Sequence, residues 1–198
     1  MDLDVVILPP KNLSATIGRR VLKVGKKVPL SLAVDSKKLF PHISLLHLKS
    51  SSAKLPAIVK LVARLAAKHR KIPLEFTSAY SGKMYFCIAT TKPKQLFNLH
   101  QKIVKSISPY RTGIILLPKK PKNNLQKKYF KLYGVGNVLK YFHPHITLGH
   151  VKNPADSPEA IKLVDKYRWK RFAAQRLVIT QVTKEHQVFK IIKEFYLK

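Results

Sequence analysis

The sequence predicts an α+β fold with largely antiparallel sheets, organised as one domain of two similar lobes. Three observations lead there. Short β-branched runs are interleaved with stretches of helical periodicity along the whole chain. Hairpin signals occur among the strands. One nine-residue segment, Pro41 to Lys49, recurs as Pro144 to Lys152, and no shorter period accompanies it, which marks a duplicated lobe rather than a solenoid.

Taken in order, Val5-Val6-Ile7-Leu8 is a strand closed by Pro9 and Pro10. Residues 11–28 are mixed and basic and receive no assignment. Ile43 to Lys49 is a strand starting after Pro41. From Pro56 to His69 the apolar positions 58, 59, 61, 62, 65 and 66 share one helical face opposite Lys60, Arg64 and Lys68, and Pro73 ends that run. Leu74–Ala79 and Met84–Thr90 read as a hairpin around Ser81-Gly82. A helix follows Pro93 to about Ile107. A basic loop with Pro118, Lys119, Lys120, Pro121 and Lys122 leads into a helix over Leu125–Leu132, closed by Gly134-Val135-Gly136. Ile146 to Lys152 is a strand, Ser157 caps a helix with Pro158 at its first position, and Leu177–Val182 and Val188–Ile192 are closing strands.

The chain has 198 residues, 45% of them apolar and 9% aromatic, enough to bury a sizeable core. Its charge is extreme: 39 Lys and Arg against 9 Asp and Glu, a net +30. Such an excess favours a polyanionic partner, nucleic acid first and an anionic membrane surface second. No carboxylate lies between Glu75 and Asp156, so a paired-carboxylate or carboxylate-rich cation site has little material there. Cys87 is the only cysteine, which excludes intramolecular disulfides and Cys-based zinc motifs; it reads as a small buried residue. The acidic start Met1-Asp2-Leu3-Asp4 and the short run before Pro9 do not make a signal peptide, and no apolar stretch approaches the roughly 20 residues that span a bilayer. The expectation is a soluble, cytoplasmic monomer.

The repeat carries the chemistry. Pro41-His42-Ile43-Ser44-Leu45-Leu46-His47-Leu48-Lys49 matches Pro144-His145-Ile146-Thr147-Leu148-Gly149-His150-Val151-Lys152 at Pro, His, Ile, Leu, His and Lys. Side chains alternate along a strand, so His42 and Ser44 share one face, and so do His145 and Thr147. Lobes related by a pseudo-twofold axis would bring two imidazoles and two hydroxyls to one cleft. A phosphodiester undergoing displacement needs that set. One imidazole removes a proton from the nucleophile, the other protonates the departing oxygen, and the hydroxyls hold the non-bridging oxygens.

His-x-Ser/Thr-hydrophobic, present at 42–45 and 145–148, resembles the signature of the two-histidine (2H) phosphoesterases. The nearest likeness is to bacterial RNA 2′,3′-cyclic phosphodiesterases, also called 2′-5′ RNA ligases. The opening Asp4-Val5-Val6-Ile7-Leu8-Pro9-Pro10 is similar to the first strand of some members. The resemblance implies a bilobal fold over residues 1–198, with two pseudo-symmetric antiparallel sheets, flanking helices and a central groove. It implies a phosphodiester substrate with a 2′ or cyclic phosphate, no metal and no cofactor. Carried over by position, His42 and His145 are the acid/base pair and Ser44 and Thr147 the phosphate ligands; which histidine is acid does not transfer.

The other histidines read differently. By the same parity His47 and His150 fall on the opposite face, as structural residues. His143 is a turn residue, and His69, His100 and His186 stand outside any motif. Tyr85 is a candidate to stack a base in the groove. Arg168, Trp169, Lys170 and Arg171 interleave cations with an aromatic ring and are candidates for RNA contact; Lys119 and Lys120, with Lys122, Lys127 and Lys128, form a second basic patch that steers substrate. His-x₄-His on a strand does not suit a metal. The rival functions are a 2′-5′ ligase, a phosphodiesterase for 2′-5′ oligoadenylate or an ADP-ribose cyclic phosphate, a non-catalytic RNA-binding protein of the same fold, and a basic peripheral membrane protein.

Overall fold

The computed structural model describes residues 1–114, 121–167, 169 and 171–198. Among them the order is β1 (Asp2–Ile7), α1 (Lys11–Gly25), β2 (Leu30–Ala33), β3 (Ile43–Lys49), α2 (Leu55–Ala67), β4 (Ile72–Leu74), β5 (Phe76–Ser81), β6 (Tyr85–Thr90), α3 (Lys94–Ile107), α4 (Asn124–Tyr133), β7 (His145–Val151), α5 (Ser157–Asp165), β8 (Phe172–Ala174), β9 (Arg176–Val182) and β10 (Val188–Tyr196). The expected α+β architecture with flanking helices is found.

Eight strands form one curled antiparallel sheet in the order β10-β9-β1-β3-β7-β6-β5, with β2 beside β7; β4 and β8 pair separately. The expected two sheets are thus joined. The joint is narrow: β3 and β7 meet in antiparallel register at Ile43 and Ile146 alone. On one side β3 pairs with β1, and on the other β7 pairs with β6. Each half therefore presents its repeated segment at the centre.

The helices pack in exchange. α1 follows β1 but packs behind β2 and β7 together with α5, whereas α3 follows β6 and packs behind β3 with α2. Ile43 and Ile146 are both fully buried beneath them. Helices therefore cover one face of the central strands and leave the other face to the groove.

Three departures from the sequence reading are local. Residues 11–25 are helical, with Ile17, Val21 and Val24 buried at helical spacing. The start carries no side-chain cap and follows Pro10, and Gly18 interrupts the stripe. That glycine is a close approach, since a Cβ there would lie 2.4 Å from the Asp35 carbonyl oxygen. The run 74–79 divides at Glu75, with Leu74 ending β4 and Phe76 opening β5. The N-cap of α5 is Asp156 rather than Ser157, with Pro158 still in its first turn. No helix among the described residues is long and apolar enough to cross a membrane.

Candidate active site

The two repeated strands carry the same irregularity. Opposite β1, the register passes from Leu46 to Ser44 across adjacent Val5 and Val6, leaving Leu45 as a bulge. Opposite β6 it passes from Gly149 to Thr147 across adjacent Phe86 and Cys87, leaving Leu148 as the equivalent bulge. A bulge inserts one residue and reverses the parity beyond it. The expectation that His47 and His150 face away from His42 and His145 is therefore corrected. Both line the same groove as the first pair.

That groove has a volume of about 600 Å³, and His42, Ser44, His145 and Thr147 all line it. Continuing the register from Ile43 and Ile146 sets His42 level with Thr147, and His145 level with Ser44. Each imidazole thus stands beside the hydroxyl of the other half.

Both rings are held alike. His42 Nδ1 lies 2.8 Å from the Phe40 carbonyl oxygen, and His145 Nδ1 lies 2.8 Å from that of His143. A carbonyl only accepts, so Nδ1 carries the hydrogen and donates it. Nε2 is left for the groove, as a base when the ring is neutral and as an acid when it is charged. Burial pushes the pKa of both imidazoles below its ordinary value; the Asp4 carboxyl opposes this at His42, and the His143 carbonyl opposes it at His145.

The hydroxyls have buried partners behind them. Cys87 Sγ donates to Thr147 Oγ1 at 3.4 Å, and burial pushes this thiol up to about 11, so it stays protonated. Cys87 is the buried residue expected, with a contact to the site that its sequence context did not reveal. Behind Ser44 lies Asp4, whose buried carboxyl is influenced by the Ser44 hydroxyl without closing a well-aligned hydrogen bond to it. Asp4 also pairs in register with His47, and its Oδ2 is 3.2 Å from His47 Nδ1.

The walls add residues without a sequence signature. The turn between β9 and β10 brings Glu185, His186 and Gln187 to the groove, and Tyr80, Asn137 and Tyr141 also line it. His143, expected as a turn residue, lines the groove as well and lies 3.4 Å from the Tyr80 hydroxyl. Tyr85 lines the groove with 41% of its surface exposed and pairs in register with His150. Among the basic candidates Lys122 reaches the groove. Trp169 does not: its ring packs against Phe76 and lies under the Arg20 guanidinium, and its Nε1 donates to the Val164 carbonyl. Arg171 is exposed away from the groove lining. Arg168, Lys170, Lys119 and Lys120 lie outside the described residues. His100 is fully buried; its Nδ1 donates to the carbonyl of bulged Leu45 at 2.9 Å, and its Nε2 accepts from Leu139 N–H at 2.8 Å. Among the described residues no group of three or more His, Cys, Asp or Glu is placed to hold a metal ion.

The comparisons with known proteins agree with this fold. A family model described as the 2′-5′ RNA ligase superfamily matches residues 10–185. No curated protein matches the chain in sequence. Among solved structures, TT0787 of Thermus thermophilus superposes with a TM-score of 0.65 at 16% identity, covering 100% of this chain and 98% of its own. E. coli LigT complexed with NADP+ superposes at 0.60 with 15% identity, covering 99% and 96%. The same LigT complexed with 3′-AMP gives 0.58 at 16% identity, covering 99% and 97%. At these identities the likeness is one of fold.

Proposed function

The chain belongs to the 2′-5′ RNA ligase superfamily of 2H phosphoesterases, and we propose that it is a metal-independent phosphodiesterase opening 2′,3′-cyclic phosphate at RNA ends or a related 2′-linked nucleotide. The observation that carries this reading is the convergence of two identically held imidazoles, each beside the other half's hydroxyl, on one groove. The two halves act as the lobes of a single site over residues 1–198.

One imidazole, neutral at Nε2, takes a proton from water as its oxygen attacks phosphorus. The other, charged, gives its Nε2 proton to the ribose oxygen that leaves. The cyclic ester opens to a monoester, and the two rings exchange protonation states. Ser44 and Thr147 donate to the non-bridging oxygens, where charge grows in the transition state. The net charge of +30 supports an RNA substrate, drawn in by its phosphates, and the position of Tyr85 and Lys122 on the groove wall supports contacts to a base and a phosphate. The family resemblance favours the 3′ oxygen as the leaving group, which would give a 2′-phosphate. The same groups run in reverse would join a 2′-5′ linkage, so ligation is the second reading.

The test is a panel with product analysis by chromatography or phosphorus NMR: 2′,3′-cyclic nucleotides, cyclic-phosphate-ended RNA, 2′-5′ oligoadenylate and 3′,5′-cyclic nucleotides. Opening of the 2′,3′-cyclic ends to 2′-phosphate is expected. A pure 3′-phosphate product reverses the docking, and no turnover of any cyclic or 2′-linked substrate at any pH leaves a binding protein of the same fold.

A further inference from the structure

Asp4 is buried beneath the groove with 0% exposure, yet neither of its carboxyl oxygens, nor the facing His47 Nδ1, closes a well-aligned hydrogen bond. His47 Nδ1 lies 3.2 Å from Oδ2, and the Ser44 hydroxyl and the Leu46 and Val5 amides also act on the carboxyl. An ionised carboxylate so placed would be dehydrated, incompletely paired and directly under a phosphodiester subsite. Each of these is costly for a negative charge.

The other half supplies the comparison. Behind Thr147 stands a thiol that donates to Oγ1, which leaves the threonine hydrogen free to point at a phosphate. Asp4 has no such counterpart across the pseudo-twofold: the residue in register with His150, as Asp4 is with His47, is Tyr85. Asp4 can back Ser44 with a donor only if it carries a proton. A neutral carboxyl both accepts and donates, whereas a carboxylate only accepts.

We propose that Asp4 is a positioning residue for the phosphate subsite, passing a hydrogen-bond donor from His47 through its own neutral carboxyl to Ser44. His47 Nδ1–H donates to Oδ2, the protonated Oδ1 donates to Ser44 Oγ, and the Ser44 hydroxyl donates to a non-bridging phosphate oxygen. When Asp4 ionises, it draws the Ser44 hydrogen to itself and sets a negative charge under the ligand. Phosphodiester affinity is thereby gated by one proton on Asp4. The inference rests on the reading of Ser44 as a phosphate ligand.

The surroundings agree with such a gate. Burial raises the Asp4 carboxyl to about 7, against the opposing pull of His42, the Ser44 hydroxyl and the Leu46 and Val5 amides. The titratable groups that meet it are His42, just before β3, and His47 within β3; His145 from β7 and His186 from the β9–β10 turn act in turn on His47, and burial holds all four imidazoles below their ordinary value. From β9, Thr180 donates only to the Asp4 backbone carbonyl. These imidazoles are neutral above pH 7, where Asp4 loses its proton.

The experiment is calorimetric titration of 2′-O-methyl adenylyl-3′,5′-adenosine, which carries one non-titrating phosphodiester charge and no 2′-hydroxyl for turnover. Wild-type affinity is expected to fall about tenfold per pH unit above Asp4's transition. Binding near pH 8 should take up about one proton, read from buffers of different ionisation enthalpy, because the linkage is reciprocal. Asp4→Asn keeps an acceptor and a donor at all pH values, so it should bind with flat affinity from pH 6 to 9 and without that proton uptake. An Asp4→Asn profile that follows wild type overturns the proposal, and so does a wild type that takes up no proton, a result that holds even if the variant fails to fold. Ser44→Ala separates the two levels. If it binds as wild type at pH 6, the phosphate-ligand reading fails and takes this inference with it. If it weakens while Asp4→Asn follows wild type, only the role of Asp4 fails.

Discussion

His42 and His145 are clamped by the same contact: each Nδ1 lies 2.8 Å from the carbonyl oxygen of the residue two positions before it. The clamp fixes which nitrogen meets the substrate and leaves the rings alike in geometry. They differ in surroundings, with Asp4 acting on His42 and the Tyr80 ring 5.9 Å from that of His145. Two groups that act in one transition state fail as a unit. His42→Ala or His145→Ala should each lower turnover of a 2′,3′-cyclic phosphate by on the order of 10²–10⁴. The double variant should be little worse than either single one. Steady-state rates on purified, folded variants check this; near wild-type turnover in either single variant removes the assignment.

The pH profile of kcat/KM follows from burial. A bell requires one ring neutral and one charged, and its limbs belong to the pair. Burial lowers both imidazoles from 6.5. The ascending limb, where the base loses its proton, and the descending limb, where the acid loses its own, both move toward acid. The maximum should lie below pH 6.5, and a maximum above pH 7.5 would contradict the burial argument.

The duplication made the centre of this fold readable. Pro-His-Ile-Ser/Thr-Leu places the imidazole and hydroxyl on one face by strand parity alone, and Ile43 and Ile146 are buried on the other. Parity then misplaced His47 and His150 because it assumes an unbroken strand. The sign of the break was present: Leu45-Leu46 puts two apolar residues in succession, and both are buried. Asp4 was out of reach for another reason. Its role depends on what β3 lays over it, and a strand's own sequence does not name its neighbour's residues. The same holds for His186 and Gln187, which a turn delivers to the groove from the far end of the chain.

Gly149 is where the repeat breaks, since Leu46 holds the matching place. β2 crosses β7 there, with Ala33 in register with Gly149. A Cβ at Gly149 would lie 2.6 Å from the Leu32 carbonyl oxygen and 2.9 Å from the Phe86 ring. One obstacle is backbone, so relief requires β2 to move. Gly149→Ala should lose about 1–3 kcal/mol. Gly113→Ala, whose nearest contact would be Lys49 Cδ at 3.5 Å, should stay within about 0.5 kcal/mol of wild type. Urea midpoints compare the two.

With +30 on 198 residues, RNA binding should weaken steeply with salt, log affinity falling linearly with log salt at a slope set by the phosphates neutralised. His42→Ala should keep that slope, because the lysines supply it. Fluorescence anisotropy of a labelled oligonucleotide between low and physiological salt measures both. A flat response would assign the basic surface to another role.

His100 ties the active-site bulge to the rest of the fold. Its ring stacks on Phe142 at 3.8 Å while one nitrogen holds the Leu45 carbonyl and the other the Leu139 amide. Leu139 sits at φ 54, a left-handed conformation that a branched residue adopts only when its surroundings enforce it. His100→Phe retains the stacking and strands both backbone groups, at a cost of about 1–3 kcal/mol each. A proton on Nε2 removes its acceptor, and burial accordingly lowers His100 to about 4. Between that value and the unfolded value near 6.5 the unfolded chain binds more protons, so the contribution of His100 is complete above pH 6.5 and lost as pH falls toward 4. The full change is on the order of 3 kcal/mol. His100→Phe should therefore be less stable than wild type at pH 7, and the gap should narrow by pH 4.5, as buried His47, lowered to about 3, continues to destabilise both proteins in acid. Urea denaturation at the two pH values measures the gap. A constant gap would mean that His100 is not held neutral by these contacts.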